Sequence, residues 1–257
     1  YEKLLEQFPQ LPGVREKLAD LYLHNKDYKQ AASQLQSIVD NNPTDPRAHY
    51  ILGSLAYEAK DMTNAVECFS KVLLLNPKFE PAYYDLAGAQ ISLDQPMNAL
   101  QTLAKARDRF KPSFVCEFYT GLAYGRLKDF RQSVEHLVAA EVVARAIETN
   151  RLNPSFYFQL GAAYERHQQF DEATQSFRKC LELAPDFSEA LNYLGYMWAE
   201  RGENLAEARE MIEKAVKQEP KNAAFLDSLG WVLYRLNQPK DALACLLKAI
   251  EYSKDPD

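Results

Sequence analysis

The sequence has no Cys-x-x-Cys pair, no unbroken apolar run of membrane-spanning length, no signal segment and no stripe of lysine and arginine. Each absence removes a class of protein. The four cysteines, Cys68, Cys116, Cys180 and Cys245, stand far apart, so no disulfide framework is expected and the usage leans towards a reducing compartment. Without a long apolar run, no helix is expected to insert directly into a membrane. A formal charge of −6 over 257 residues has the wrong sign for neutralising phosphates, which argues against a general nucleic-acid binder. Motif chemistry is missing as well. There is no Gly-x-Gly-x-x-Gly, no phosphate-binding loop, no His-Glu-x-x-His and no Gly-x-Ser-x-Gly elbow. His24, His49, His136 and His167 are too scattered to converge on one metal ion, and the carboxylates, flanked by lysine and arginine, read as solvated helix faces. No catalytic residue, metal or cofactor is expected in this chain.

What the chain holds instead is one phrase, repeated. It is clearest between Phe156 and Pro185. Leu160, Gly161 and Tyr164 fall on one helical face, a polar break follows at Gln168-Gln169, and Ala173, Phe177, Cys180 and Leu181 repeat the spacing before Pro185 closes the unit. The pattern predicts a helix, a turn and a second helix. Equivalent helices open at Leu18, Leu52, Leu86, Thr120, Leu160, Leu194 and Leu229, and all but two of the steps are 34 residues. The next residue is always small: Ala19, Gly53, Ala87, Gly121, Gly161, Gly195 and Gly230. Such a side chain lets two helix axes approach closely, as an antiparallel hairpin requires. Thirteen residues after the first five openings come Ala31, Ala65, Ala99, Ser133 and Ala173; Ala208 is one residue late, and Ala242 restores the spacing. Prolines at 9, 43, 77, 185 and 220 close their units, with Pro112 displaced by one. Cys180 holds the place of Ala106, Ala140, Ala215 or Ala249 and reads as a small buried apolar residue.

A fixed period of this length and content is the signature of a helical repeat array. It resembles the tetratricopeptide repeat (TPR) family over essentially the whole chain. The resemblance implies an all-α fold, a right-handed superhelical solenoid of antiparallel helix–turn–helix repeats, forming one elongated domain in which each unit touches its neighbours. Residues 1–11 then read as the second helix of a truncated repeat, followed by seven repeats at about 12–45, 46–79, 80–113, 114–153, 154–187, 188–222 and 223–256. The chain is expected to be part of a longer array, with Pro256-Asp257 standing where another unit would begin. An anchor, a signal or a catalytic domain outside this stretch, and either a cytoplasmic or a cell-envelope location, stay open. The phrases Ala190-Leu191-Asn192-Tyr193-Leu194-Gly195-Tyr196 and Phe225-Leu226-Asp227-Ser228-Leu229-Gly230-Trp231 resemble multi-repeat proteins common in bacteria.

Departures from the pattern are Thr120 for leucine, Ser133 for alanine and Lys111 where proline should stand, so irregularity is expected around the third and fourth units. Thr120 to Leu160 spans 40 residues while the gap from Thr120 to Ser133 is normal, which leaves six extra residues in or after the second helix of the fourth unit. Val134 to Thr149 reads as one continuous helix, with Leu137, Val138, Val142, Val143, Ala146 and Ile147 apolar and no Gly or Pro to stop it, before Asn150 to Pro154 resets the register.

In the TPR family the first helix of each unit lines the concave side, and the resemblance carries certain register positions onto that face. Here they hold Tyr50, Tyr57, Tyr84, Phe118, Arg126, Phe158, Arg166, Asn192, Tyr196, Trp231, Tyr234 and Arg235, beside Glu165, Glu200 and Asp227. Nearly every unit thus offers a ring, which suits an interface because rings bury large area at low rotamer cost. The alternative is that the rings pack against the next unit. A two-unit clamp of lysine, asparagine and arginine for a C-terminal carboxylate is not recognisable at the matching positions. The implied function is an interaction scaffold or adaptor that takes a segment of another protein, or a peptide, into an aromatic-lined groove. Two alternatives are the recruiting arm of a larger enzyme and a peptide-sensing regulator.

Overall fold

The computed structural model describes residues 1–8, 11 and 13–254. Pro9, expected to close the opening helix, and the end at Pro256-Asp257 lie outside the described residues. Among those described there are fifteen α-helices and no strand. The chain divides into two compact units, Tyr1–Asp129 and Phe130–Asp257.

The first unit begins with a short helix, α1 (Glu2–Gln7), which packs on α2 (Val14–His24). Helix pairs follow: α2 with α3 (Tyr28–Asn41), α4 (Pro46–Glu58) with α5 (Met62–Leu75), and α6 (Glu80–Ser92) with α7 (Pro96–Arg107), then α8 (Phe114–Arg126). The second unit opens with α9 (Phe130–Ile147) and continues through α10 (Pro154–Arg166) with α11 (Phe170–Leu183), α12 (Ser188–Arg201) with α13 (Leu205–Gln218), and α14 (Ala223–Arg235) with α15 (Pro239–Lys254). Within each unit a second helix also packs on the first helix that follows it. Successive first helices touch as well, α4 on α6 and α6 on α8 in one unit, α10 on α12 and α12 on α14 in the other. Each unit therefore has a first-helix face and a second-helix face.

Small residues set the hairpin crossings. A Cβ on Gly161 would stand 2.8 Å from the Phe177 ring, and one on Gly195 would stand 2.7 Å from Ile212 Cγ1 and 2.8 Å from the Ala208 carbonyl oxygen. The residues they admit, Phe177 and Ile212, are completely buried, as are Ala173 and Ala208 one turn earlier. Burial of a side chain the size of Phe177 stabilises by about 1.5–3 kcal/mol. Closing segments are tied in by polar contacts at one repeat position: buried His49 lies 3.0 Å through Nε2 from the Pro43 carbonyl, and Tyr83, 34 residues on, donates from its hydroxyl to the Pro77 carbonyl at 3.1 Å.

The turns keep the same count by backbone conformation. Lys26, Lys60, Asp94, Lys128, Gln168, Gly202 and Asn237 all have φ between +56° and +73°, and each stands eight residues after the repeat position held by Leu18, Leu52, Leu86, Thr120, Leu160, Leu194 and Leu229, which lies inside the first helix. The following amide reaches back to close the helix, as in Asp27 N–H to the Tyr22 carbonyl and Asp61 N–H to the Ala56 carbonyl, both 2.8 Å. This is the six-residue closure that ends helices, built here mostly without glycine. Asp27 and Asp61 then cap the next helix, accepting from the Gln30 and Asn64 amides at 3.2 Å. At Asp94-Gln95-Pro96 and Asn237-Gln238-Pro239, proline begins the second helix, where its missing donor leaves no bond unmade.

The fourth repeat corrects one boundary. Helix α9 has 18 residues against 14 in α3, α5, α11 and α13, so it overruns by about a turn. It stops at Ile147 rather than at Thr149. Glu148 (φ −139°, ψ 50°) leaves the helical region after its amide bonds to Ala144, and a 3₁₀ turn over Thr149–Arg151 takes up the remainder before Asn153 caps α10 through the Phe156 amide at 2.9 Å.

Candidate functional site

In the first unit the first-helix face is largely closed by its own rings. Tyr50 lies 4.7 Å from Phe79 and 5.7 Å from Phe69, centroid to centroid, and donates to Asp85 Oδ2 at 2.7 Å. Burial, and then the Asp85 carboxylate, push the Tyr50 phenol above its ordinary range, while burial raises Asp85 and the phenol partly lowers it. Tyr84 donates to Glu80 at 2.7 Å and accepts from Ser113 Oγ at 3.0 Å. Phe118 stacks on Phe114, centroids 5.4 Å apart. Tyr57 leans over Gly88: a Cβ there would stand 3.3 Å from the Tyr57 hydroxyl and 3.2 Å from that of Tyr119. Arg126 is exposed near the end of its helix. Two cavities of this unit, about 510 and 480 Å³, are furrows between consecutive second helices, α3 to α5 and α5 to α7.

The second unit differs. Phe158 repeats the behaviour of Tyr50, wedged among Phe177, Phe187 and Tyr193 at 5.4–6.0 Å between centroids. Phe187 and Phe79 each stand two residues after a closing proline, so both rings fill the same gap between neighbouring repeats. At the next repeat that register position is Asn192, and the residue two after the closing Pro220 is Asn222. No ring fills the gap. Beside Asn192 lies a cavity of about 310 Å³ lined by Glu165 from α10, Asn192, Tyr193, Tyr196 and Met197 from α12, and Ala224, Asp227 and Ser228 from α14.

Among the described residues, the buried side-chain polar atoms without a hydrogen-bond partner are Asn192 Oδ1 and Trp231 Nε1, both on first helices of this unit. An orphaned buried acceptor or donor costs about 1–3 kcal/mol. Beside them Tyr196 is 40 % exposed and Tyr234 is 59 % exposed, with Tyr234 stacked on Trp231 at 5.8 Å. Arg235 donates to the Glu200 carbonyl at 2.8 Å and stands 5.8 Å from the Trp231 ring centroid. Arg166 is exposed with its guanidinium 6.0 Å from the Phe130 ring. Burial raises the Glu165 carboxyl, an effect Arg166 partly offsets. The Tyr196 phenol is raised by burial first and then by Glu200, Asp227 and Glu165.

The structure thus gathers Asn192, Tyr196, Trp231, Tyr234 and Arg235 on adjacent first helices of one unit. It turns the rings of Tyr50 and Phe158 into the boundary between repeats. Sequence reasoning placed Glu165 and Asp227 on this face without naming them as site residues, and it missed Met197 and Ser228; the substitution of a ring by Asn192 in register is the signal that marks the gap. Among the described residues no group of histidine, cysteine and carboxylate side chains is arranged to hold a metal, and no helix is long and apolar enough to cross a membrane.

The tetratricopeptide repeat family profile matches residues 4–257, and the chain belongs to that family. Repeats of this kind serve as protein-binding scaffolds. The TPR repeat-containing protein PA4667 of Pseudomonas aeruginosa is 29% identical over 208 residues, covering 81% of this chain and 34% of that protein. The protein O-mannosyl-transferase TMTC3 of Homo sapiens is 24% identical over 230 residues, covering 88% of this chain and 24% of its own. The chain therefore spans about a third and about a quarter of the length of these relatives. Among solved structures, a chain of the APC/C hetero-tetramer Cut9–Hcn1 superposes with a TM-score of 0.74 at 16% identity, over 99% of this chain and 49% of that one. YrrB, a TPR protein with an unusual peptide-binding site, superposes at 0.57 with 20% identity, over 76% of this chain and 97% of its own. These likenesses establish the TPR solenoid as the fold.

Proposed function

We propose that the chain is a binding scaffold which takes an extended segment of a partner protein along the first-helix face of its second unit. The observation that carries this reading is the pairing of two orphaned buried polar atoms, Asn192 Oδ1 and Trp231 Nε1, with the open rings of Tyr196 and Tyr234. An extended backbone offers a donor and an acceptor at every residue, and the rings supply apolar area with little rotamer entropy to lose. The peptide-binding site ascribed to YrrB supports the same use of this fold.

Selection of displayed random peptides against the chain tests the reading. Peptides so obtained are expected to lose binding to Tyr196→Ala and Trp231→Ala while far-UV circular dichroism stays unchanged. Undiminished binding by both variants overturns the assignment to this face. A second reading, a recruiting arm within a larger enzyme, draws on the match to TMTC3, whose length this chain spans only in part. Both readings use the same face.

A further inference from the structure

We infer that the cavity between α10, α12 and α14 selects a lysine or arginine side chain from the bound segment. This rests on the proposed use of the first-helix face and adds the chemistry of the residue presented to it. Two other repeats place a ring, Tyr50 or Phe158, at the register position that Asn192 holds beside this cavity. The space, about 310 Å³, is at the small end of the range for ligand pockets and admits a long side chain. Its walls are rich in acceptors. Glu165 and Asp227 bring carboxylates, Tyr196 a phenolic oxygen and Asn192 an amide side chain whose Oδ1 has no partner, and the Ser228 hydroxyl, which donates to the Ala224 carbonyl at 3.0 Å, keeps its lone pairs.

Cations are absent from the lining. Glu165 and Asp227 form no salt bridge among the described residues. Of the nearby arginines, Arg166 lies 6.0 Å from the Phe130 ring and only partly offsets Glu165 through space, and Arg235 donates to the Glu200 carbonyl. Asn192 is itself about nine-tenths buried, 9 % exposed, so its unpaired oxygen is part of a built wall rather than a surface accident. An ammonium carries three donors and a guanidinium five, neither with an acceptor, which matches a pocket rich in acceptors with no cation in its lining. Their apolar stems suit Met197 and Ala224, and Tyr193 and Tyr196 also line the space. A glutamate in the same space would meet Glu165 and Asp227, and an aliphatic side chain would leave Asn192 Oδ1 unsatisfied.

The test uses the whole chain, ¹⁵N-labelled, titrated with four acetylated and amidated pentapeptides in which arginine, lysine, glutamine or glutamate is flanked by alanines. The arginine and lysine peptides are expected to shift the Asn192 side-chain amide and the backbone amides of Tyr196 and Asp227, binding about tenfold more tightly than the glutamine peptide. Replacing Glu165→Gln and Asp227→Asn together, which keeps shape, should level that difference. Asn192→Phe should block the shifts while raising the denaturation midpoint, because the new ring fills the gap as Phe158 does. If the glutamine or glutamate peptide binds these resonances as tightly as the arginine peptide, basic selection is overturned while groove binding stands. If basic peptides move none of these resonances, the inference also fails, and the displayed-peptide experiment decides separately whether the face binds anything.

Discussion

At the residue scale, one position per repeat decides how closely the two helices of a hairpin can lie. Gly195 faces Ile212 and a backbone oxygen below 3 Å from where its Cβ would be, and backbone yields less readily than the end of a flexible side chain. Gly195→Ala is therefore expected to destabilise by about 1–3 kcal/mol despite alanine's better helix propensity, read as a lower urea midpoint at unchanged slope. Gly88 contrasts with it, since the atoms nearest its missing Cβ are two tyrosine hydroxyls at 3.2–3.3 Å. Small residues of this sort were legible in the sequence because they recur in phase. The fate of the rings was not. Tyr50, Phe158 and Asn192 share one register position, and whether the occupant seals the repeat boundary or leaves it open depends on its length and on what stands at Phe79, Phe187 or Asn222, which no periodicity reports.

At the scale of the element, helices were readable from apolar spacing, their ends from proline and the turns from polar breaks, while the backbone conformation of those turns was not. Their shared feature is a left-handed backbone at a fixed place, held by lysine, aspartate, glutamine, asparagine and once by glycine, so residue identity gives little away. A left-handed conformation costs a β-carbon-bearing residue roughly 1 kcal/mol, which glycine avoids. Gln168→Gly is expected to raise stability by about 0.5–1 kcal/mol, visible as a melting temperature a few degrees higher. A lower melting temperature would mean that the flexibility glycine gives the unfolded chain outweighs the relief. The overlong α9 shows the other limit: its apolar pattern continues to Ile147, but the stop is made by the backbone at Glu148, where the sequence offers neither glycine nor proline.

At the scale of the molecule, stability in a repeat array is close to a sum over adjoining units. In the second unit Phe225 joins Leu191 and Ala215 in one buried cluster, with Leu181, Met211 and Val216 against it, so the last repeat roofs the one before. Removing residues 223–257 should lower the melting temperature while leaving helicity per residue nearly unchanged. Collapse of helicity throughout would show that folding is not local in this sense. The irregular fourth repeat has a consequence of its own. Its surplus residues are spent on one longer rod and a tight corner, and Asn153 then restarts the count, so the repeats that follow keep the 34–35-residue sequence pattern. Lengthening was absorbed like an extra beat held before the bar line: an insertion can enlarge a single storey here without shifting the count of those that follow it in the sequence.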